Sequence, residues 1–275
     1  YAENKEEAGS DLEGMAADLA VVSDSEATDP NYQSNDYADL LINDSANEIV
    51  ESYHCFDKLY PASITKVMTA LLTLEHGNMD DEITLKHDIN LTEDGAVIST
   101  LTKGDTVTVG QVFHTMLIKS ANDCAVILAE YVAGSEAKFI DMMNERAREL
   151  GATHTHFVNP NGLHNNDHYT TAYDLYLIFK EAVKHEEFVD TVSSKDYTMT
   201  YTTAKKTQIN EYMQSTNYYL LNEFPVPEGV VMYGGKTGTT SMAKSCLILM
   251  TKNTYLFFDI IVRKSSQMMK IFTSK

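Results

Sequence analysis

Pro61-Ala62-Ser63-Ile64-Thr65-Lys66-Val67-Met68-Thr69-Ala70 opens a segment whose apolar residues recur at helical spacing as far as His76, with Gly77 as the stop. Residues three apart on a helix share a face, with Cβ atoms about 5–6 Å apart, so the Lys66 ammonium can reach the Ser63 hydroxyl. Ser63 falls in the first turn, where backbone N–H groups lack helical partners and the dipole is positive. That position suits an alkoxide or an oxyanion. A serine becomes a nucleophile beside a base, and lysine is a base only when neutral. A free lysine titrates at about 10.4, and bringing it to about 7–8 costs about 4 kcal/mol. Burial and a second cation can supply that. Taken alone, the pair reads as a helix-capping serine with a surface lysine. The apolar run Val67-Met68-Thr69-Ala70-Leu71-Leu72 instead predicts a buried helix that carries Ser63 inward.

Two further Ser-x-x-Lys matches lack that setting. Ser135–Lys138 reads as an N-cap opening an exposed helix, and Ser241–Lys244 lies in a polar stretch between two strands. Ser120-Ala121-Asn122 sits between two helical segments. There Ser120 can pass a proton between Lys66 and a leaving amine, and Asn122 can bind a substrate amide; an ordinary N-cap is the plainer reading. Ser45-Ala46-Asn47 reads as a hairpin loop. Ser215-Thr216-Asn217 is expected to stand apart from a cleft framed by a separate helical lobe. Lys236-Thr237-Gly238 ends a strand-like run, and this tripeptide occurs once. Its glycine lets a substrate backbone approach the strand, and Lys236 and Thr237 together suit a carboxylate. A simple turn after Gly234-Gly235 is the competing reading. Lys236 is the candidate second cation beside Lys66.

Outward from these motifs, Ala38–Ile42 and Glu48–Tyr53 predict two strands joined by a polar loop. Ile83–Leu85 and Thr106–Val109 predict short strands, and Gly110–Ile118, Asn122–Val132, Glu136–Leu150 and Thr171–Lys184 predict helices. Val230–Tyr233, Ser245–Thr251 and Tyr255–Val262 predict three late strands. Strands at both ends of a mostly helical middle imply an α+β domain. Residues 1–35 are rich in acids and poor in aromatics, and read as a flexible tail with a short helix over Leu12–Val22. Order is expected from near Tyr37. The domain then covers residues 36–275, with a sheet lobe of about 36–76 and 195–275 and a helical lobe of about 77–194.

The 275 residues carry a formal net charge of −19, which argues against nucleic acid or an anionic membrane as partner. A hydrophobic share of 43% suits a folded core, and no apolar run is long enough to span a membrane. Three cysteines are too few for a disulfide framework, and Cys124 and Cys246 read as small buried hydrophobes.

Ser63-x-x-Lys66, Ser120-x-Asn122 and Lys236-Thr237-Gly238, in that order, resemble the three motifs of the penicillin-recognising serine enzymes. The stretch from Pro61 to Ala70 resembles the low-molecular-weight D-alanyl-D-alanine carboxypeptidases in particular. So do Asn159-Pro160-Asn161-Gly162-Leu163 and His168-Tyr169-Thr170-Thr171-Ala172-Tyr173-Asp174-Leu175. The resemblance implies a β-lactamase/transpeptidase-like fold: a five-stranded antiparallel sheet flanked by helices, a mostly helical second lobe, and a cleft between them. It implies Ser63 as acylated nucleophile, Lys66 as general base, and Ser120 and Asn122 in proton relay and substrate binding. Lys236 and Thr237 would hold the terminal carboxylate beside Gly238, and the backbone N–H groups of Ser63 and Thr239 would form the oxyanion hole. No metal or cofactor is implied. The implied substrate is a peptidoglycan stem peptide ending in D-Ala-D-Ala, with β-lactams as covalent inhibitors.

A monomer acting outside the cytoplasm is expected: secreted, periplasmic or at the cell surface. Any tether would lie upstream of Tyr1, and a β-rich C-terminal domain and C-terminal anchor are not expected. A β-lactamase would share the motifs, but the Glu-x-x-Leu-Asn that would supply its deacylating base does not occur. A non-catalytic binder of wall peptide would tolerate loss of Ser63, Lys66 or Lys236, and all three are present. His154-x-His156 and His164-x-x-x-His168 lack a zinc-peptidase pattern and read as solvated or structural histidines.

Overall fold

The computed structural model describes residues 38–91, 93, 96–226, 228–253 and 258–265. The tail expected over residues 1–35, its helix over Leu12–Val22 and the onset of order near Tyr37 lie outside them.

Strand β1 (Ala38–Asn43) is buried along most of its length and joins the two ends of the described chain. On one side it pairs with β2 (Glu48–Tyr53) across the turn that holds Ser45 to Asn47. On the other it pairs with β9 (Phe258–Ser265), Leu40 opposite Val262. With β7 (Val230–Thr240) and β8 (Lys244–Asn253) these form a five-stranded antiparallel sheet of order β2-β1-β9-β8-β7. Alternation along β8 serves both faces, as strand geometry dictates. Cys246, Ile248 and Met250 enter the main core, while Leu247 and Leu249 pack under Tyr219 and Phe224. Strand β7 is an edge, and Lys236-Thr237-Gly238 lies on it rather than in a turn.

A 3-10 turn (Ala62–Thr65) precedes α1 (Lys66–His76), so Ser63 stands in a tight turn before the α-helix proper. All residues from Lys66 to Thr73 are buried. Gly77 does end the helix, but in extended conformation with φ −114°, not in a left-handed cap. A Cβ there would lie 2.8 Å from both the Thr73 carbonyl and the Tyr131 ring, so close approach selects the glycine.

Helix α1 packs against α3 (Asn122–Ala133) and α5 (Ala172–Ala182), with α2 (Val109–Ile118) and α4 (Glu136–Glu149) completing the layer. A capping box between Thr108 and Gln111 starts α2, and Ser135 caps α4 as expected. The core includes Phe113, Phe139, Tyr176 and Phe179, and Phe188 from α6 (Glu186–Ser193), a helix the sequence reading did not anticipate.

A second sheet of order β3-β4-β5-β6 contains β3 (Glu82–Thr84), β4 (Thr106–Thr108), β5 (Asp196–Thr202) and β6 (Gln208–Gln214). The sequence reading grouped residues 195–214 with the sheet lobe. This hairpin instead pairs with β4, through Thr106 and Thr202, and packs on α2. All three cysteines are buried, and none of them forms a disulfide.

Candidate active site

Ser63, Ser120 and Asn122, Gly162 and Leu163, and Thr237 to Thr240 line one cleft of about 330 Å³, a volume in the range of small-ligand sites. The three motifs converge because the turn before α1 packs directly on β7. A Cβ at Gly238 would stand 2.9 Å from the Ser63 backbone nitrogen and 3.0 Å from the Pro61 carbonyl. Glycine is therefore required where edge strand and nucleophile turn meet.

Lys66 is wholly buried. Its Nζ donates to Ser63 Oγ at 2.9 Å, Asn122 Oδ1 at 2.8 Å and the Asn161 carbonyl at 2.6 Å. Burial pulls its titration well below the ordinary lysine range, and the positive charge of Lys236 pulls it further. Lys236 is 1% exposed and donates to Ser120 Oγ at 2.9 Å and the Thr237 carbonyl at 2.8 Å. Burial lowers its pKa to about 7. Each lysine thus holds one serine, Lys66 on Ser63 and Lys236 on Ser120.

Two backbone positions beside these serines are strained. Ala62, just before Ser63, has φ +49°, and Ser120 has φ +64°. Left-handed backbone costs a non-glycine residue about 1–2 kcal/mol, and such strain gathers at functional sites. The loop Asn159–Leu163 braces the Ala62 side. Thr69 Oγ1 donates to the Pro160 carbonyl at 2.6 Å, and Gly162, at φ +86°, presses on the Ala62 carbonyl. A Cβ at Gly162 would lie 1.9 Å from that oxygen.

His168 locks the same region. Its Nδ1 accepts from the Val158 N–H at 3.1 Å, so in the neutral ring Nε2 carries the proton and donates to Thr65 Oγ1 at 2.8 Å. Burial holds its pKa down to about 3, which keeps the ring neutral. His156 directs Nδ1 to the Asp167 carbonyl.

The structure adds roles that sequence did not assign. Asn161 acts through its backbone carbonyl, and Thr216 lines the cleft with its Oγ1 2.6 Å from Thr237 Oγ1. The expectation that Ser215-Thr216-Asn217 stands apart is corrected. Its segment follows β6, which joins the second sheet, and Thr216 N–H donates to the Ile118 carbonyl beside Ser120. Tyr218 and Val97 complete the rim. Thr239 lines the cleft with Ser63.

A family model described as D-alanyl-D-alanine carboxypeptidase matches residues 24–262. D-alanyl-D-alanine carboxypeptidase DacF of Bacillus subtilis (strain 168) is 34% identical over 220 residues, spanning 78% of this chain and 53% of that protein. DacC of Escherichia coli (strain K12), with the same enzyme name, is 30% identical over 213 residues, spanning 74% and 50%. The chain thus spans about half the length of these curated relatives. The crystal structure of the Streptomyces K15 DD-transpeptidase matches with TM-score 0.76 and 25% identity, over 86% of this chain and 92% of that one.

Proposed function

The chain belongs to the D-alanyl-D-alanine carboxypeptidase family, and on that premise we propose that it removes the terminal D-Ala from peptidoglycan stem peptides through an acyl-enzyme. The observation that carries this reading is the set of partners around Lys66 Nζ. Asn122 Oδ1 and the Asn161 carbonyl can only accept hydrogen bonds, whereas Ser63 Oγ can also donate one. When Lys66 gives up a proton, its two remaining N–H bonds stay on those two oxygens. The lone pair is left facing the Ser63 hydroxyl.

Ser63 Oγ then attacks the carbonyl carbon between the two D-Ala residues as its proton passes to Lys66. The oxyanion that forms lies between the backbone N–H groups of Ser63 and Thr239. The C–N bond breaks, and the departing amine takes a proton through Ser120. A water molecule hydrolyses the ester and restores Ser63. Lys236 and Thr237 receive the carboxylate of the leaving D-Ala, and Gly238 admits the substrate backbone beside β7. Asn122 binds a backbone amide of the substrate. A β-lactam enters the same path as far as the acyl-enzyme.

Among the described residues no helix is long and apolar enough to cross a membrane. A wall peptide as substrate places the work outside the cytoplasm, and the reading takes the chain to act as a monomer. The test is release of free D-Ala from a soluble pentapeptide ending in D-Ala-D-Ala. Release by the protein and none by Ser63→Ala supports the reading; equal release by both contradicts it.

A further inference from the structure

Asp123 follows Asn122 and has no part in the chemistry described above. It is 4% exposed in the first turn of α3. An acid there is ordinarily a favourable charge near the positive end of the helix. Here the carboxylate reaches out of its helix. Its two oxygens lie 2.9 and 3.0 Å from the Ser99 N–H, and Oδ2 accepts from Ser99 Oγ at 2.5 Å. Ser99 Oγ in turn accepts from the Leu101 N–H at 3.2 Å. Meanwhile the adjoining side chains of Val97 and Ile98 are 45% and 50% exposed. Thr100, the residue after Ser99, is tied to Glu211 Oε2 and Tyr201, so beside Val97 the buried carboxylate is the anchor on the Ser99 side.

What the anchoring secures is the carbonyl of Val97. It accepts from the Asn122 backbone N–H at 2.8 Å and from Asn122 Nδ2 at 3.0 Å. A carbonyl cannot donate, so the NH2 end of the Asn122 amide must face it. Oδ1 is thereby turned to Lys66 Nζ, 2.8 Å away. With the carbonyl displaced, the amide is free to turn over and set its NH2 group against the lysine, donor against donor.

We infer that Asp123 is a positioning residue: through Ser99 it holds the Val97 carbonyl, and that carbonyl sets the Asn122 amide with its oxygen on Lys66. The inference rests on the catalytic reading of Lys66 and Asn122 given above. Because Val97 also lines the cleft, the same anchor fixes one wall of the substrate path.

The experiment measures the rate of acylation by a fluorescent penicillin in the native chain, Asp123→Ala, Asp123→Asn, Asn122→Ala and the double alanine variant. Peptide-level hydrogen exchange is followed in each. Asp123→Ala is expected to slow acylation about tenfold to a hundredfold, the scale of an ångström-sized misplacement. Asp123→Asn keeps an acceptor oxygen for Ser99 and recovers most of the rate. Asp123→Ala added to Asn122→Ala costs little more, because the anchor acts through that amide. Exchange quickens around Ser99 and Asn122 and nowhere else. A native rate in Asp123→Ala, fully multiplicative losses, or exchange quickened uniformly along the chain would overturn the inference. Absence of labelling in the native chain would instead overturn the enzyme reading, while unchanged exchange around Ser99 in Asp123→Ala would by itself refute the anchor.

Discussion

Lys66 Nζ lies 2.9 Å from Ser63 Oγ, and of the three oxygens around that nitrogen the serine's is the one that carries a proton. A buried lysine with this shell exchanges a proton with one partner. Lys66→Ala is therefore expected to abolish acylation by penicillin while leaving the circular dichroism spectrum native. Near-normal labelling of that variant would remove Lys66 from the chemistry.

The charge of Lys236 lowers the titration of Lys66. Removing it in Lys236→Met raises the Lys66 pKa, since a like charge disfavours the protonated form. The rising limb of the acylation rate against pH should accordingly move to higher pH in the variant. A limb that stays in place, at whatever height, would mean that the two lysines do not sense each other.

Lys236 also leaves a mark on stability. It titrates at about 7 when folded against 10.5 ordinarily. Between those values the unfolded chain binds the extra proton, so this group makes stability rise with pH across that window. Below it both states are protonated and the contribution is flat. The stability of the native chain minus that of Lys236→Met should rise from pH 7 towards 10.5, by at most about 5 kcal/mol. Urea unfolding at several pH values measures the difference, and a falling difference would reverse the assignment.

Gly162 has φ +86° and no room for a Cβ against the Ala62 carbonyl. Gly162→Ala is expected to cost about 2–4 kcal/mol of stability from strain and overlap together. It should also slow acylation, because the displaced loop carries the Asn161 carbonyl that holds Lys66. Thermal unfolding and penicillin labelling check both; an unaltered midpoint would show that the loop yields freely.

Thr216 and Thr237 share a hydrogen bond of 2.6 Å at the end of the cleft proposed to take the substrate carboxylate. Thr216→Val keeps the shape and loses the bond, worth about 1 kcal/mol, so KM for a peptide ending in a free carboxylate should rise about fivefold. A C-terminally amidated peptide should be less affected. Equal effects on both would separate Thr216 from carboxylate binding.

The motif residues were legible in sequence because each owes its place to side-chain chemistry at fixed spacing. Ser63 and Lys66 share a helix face, and the apolar run after them buries the lysine. Asn161 was not legible, since it contributes a backbone carbonyl that any residue possesses. The hairpin β5–β6 carries its signal in Tyr197, Met199 and Tyr201 alternating with threonines, of which Met199 is fully buried. Its flanking charges and amides masked that pattern. Thr216 was set aside on chain order, although pairing of the hairpin with β4 brings the following segment back to Ser120. Gly77 was read as the helix stop, and what demands glycine there is the close approach of the Thr73 carbonyl and the Tyr131 ring.

Every step proposed for Ser63 passes through a covalent acyl-enzyme. Intact mass after incubation with a penicillin, followed over time and compared with Ser63→Ala, tests it most directly. A lasting adduct of the drug's full mass is expected on the native chain and none on the variant. No adduct on the native chain, or an equal adduct on Ser63→Ala, would contradict it.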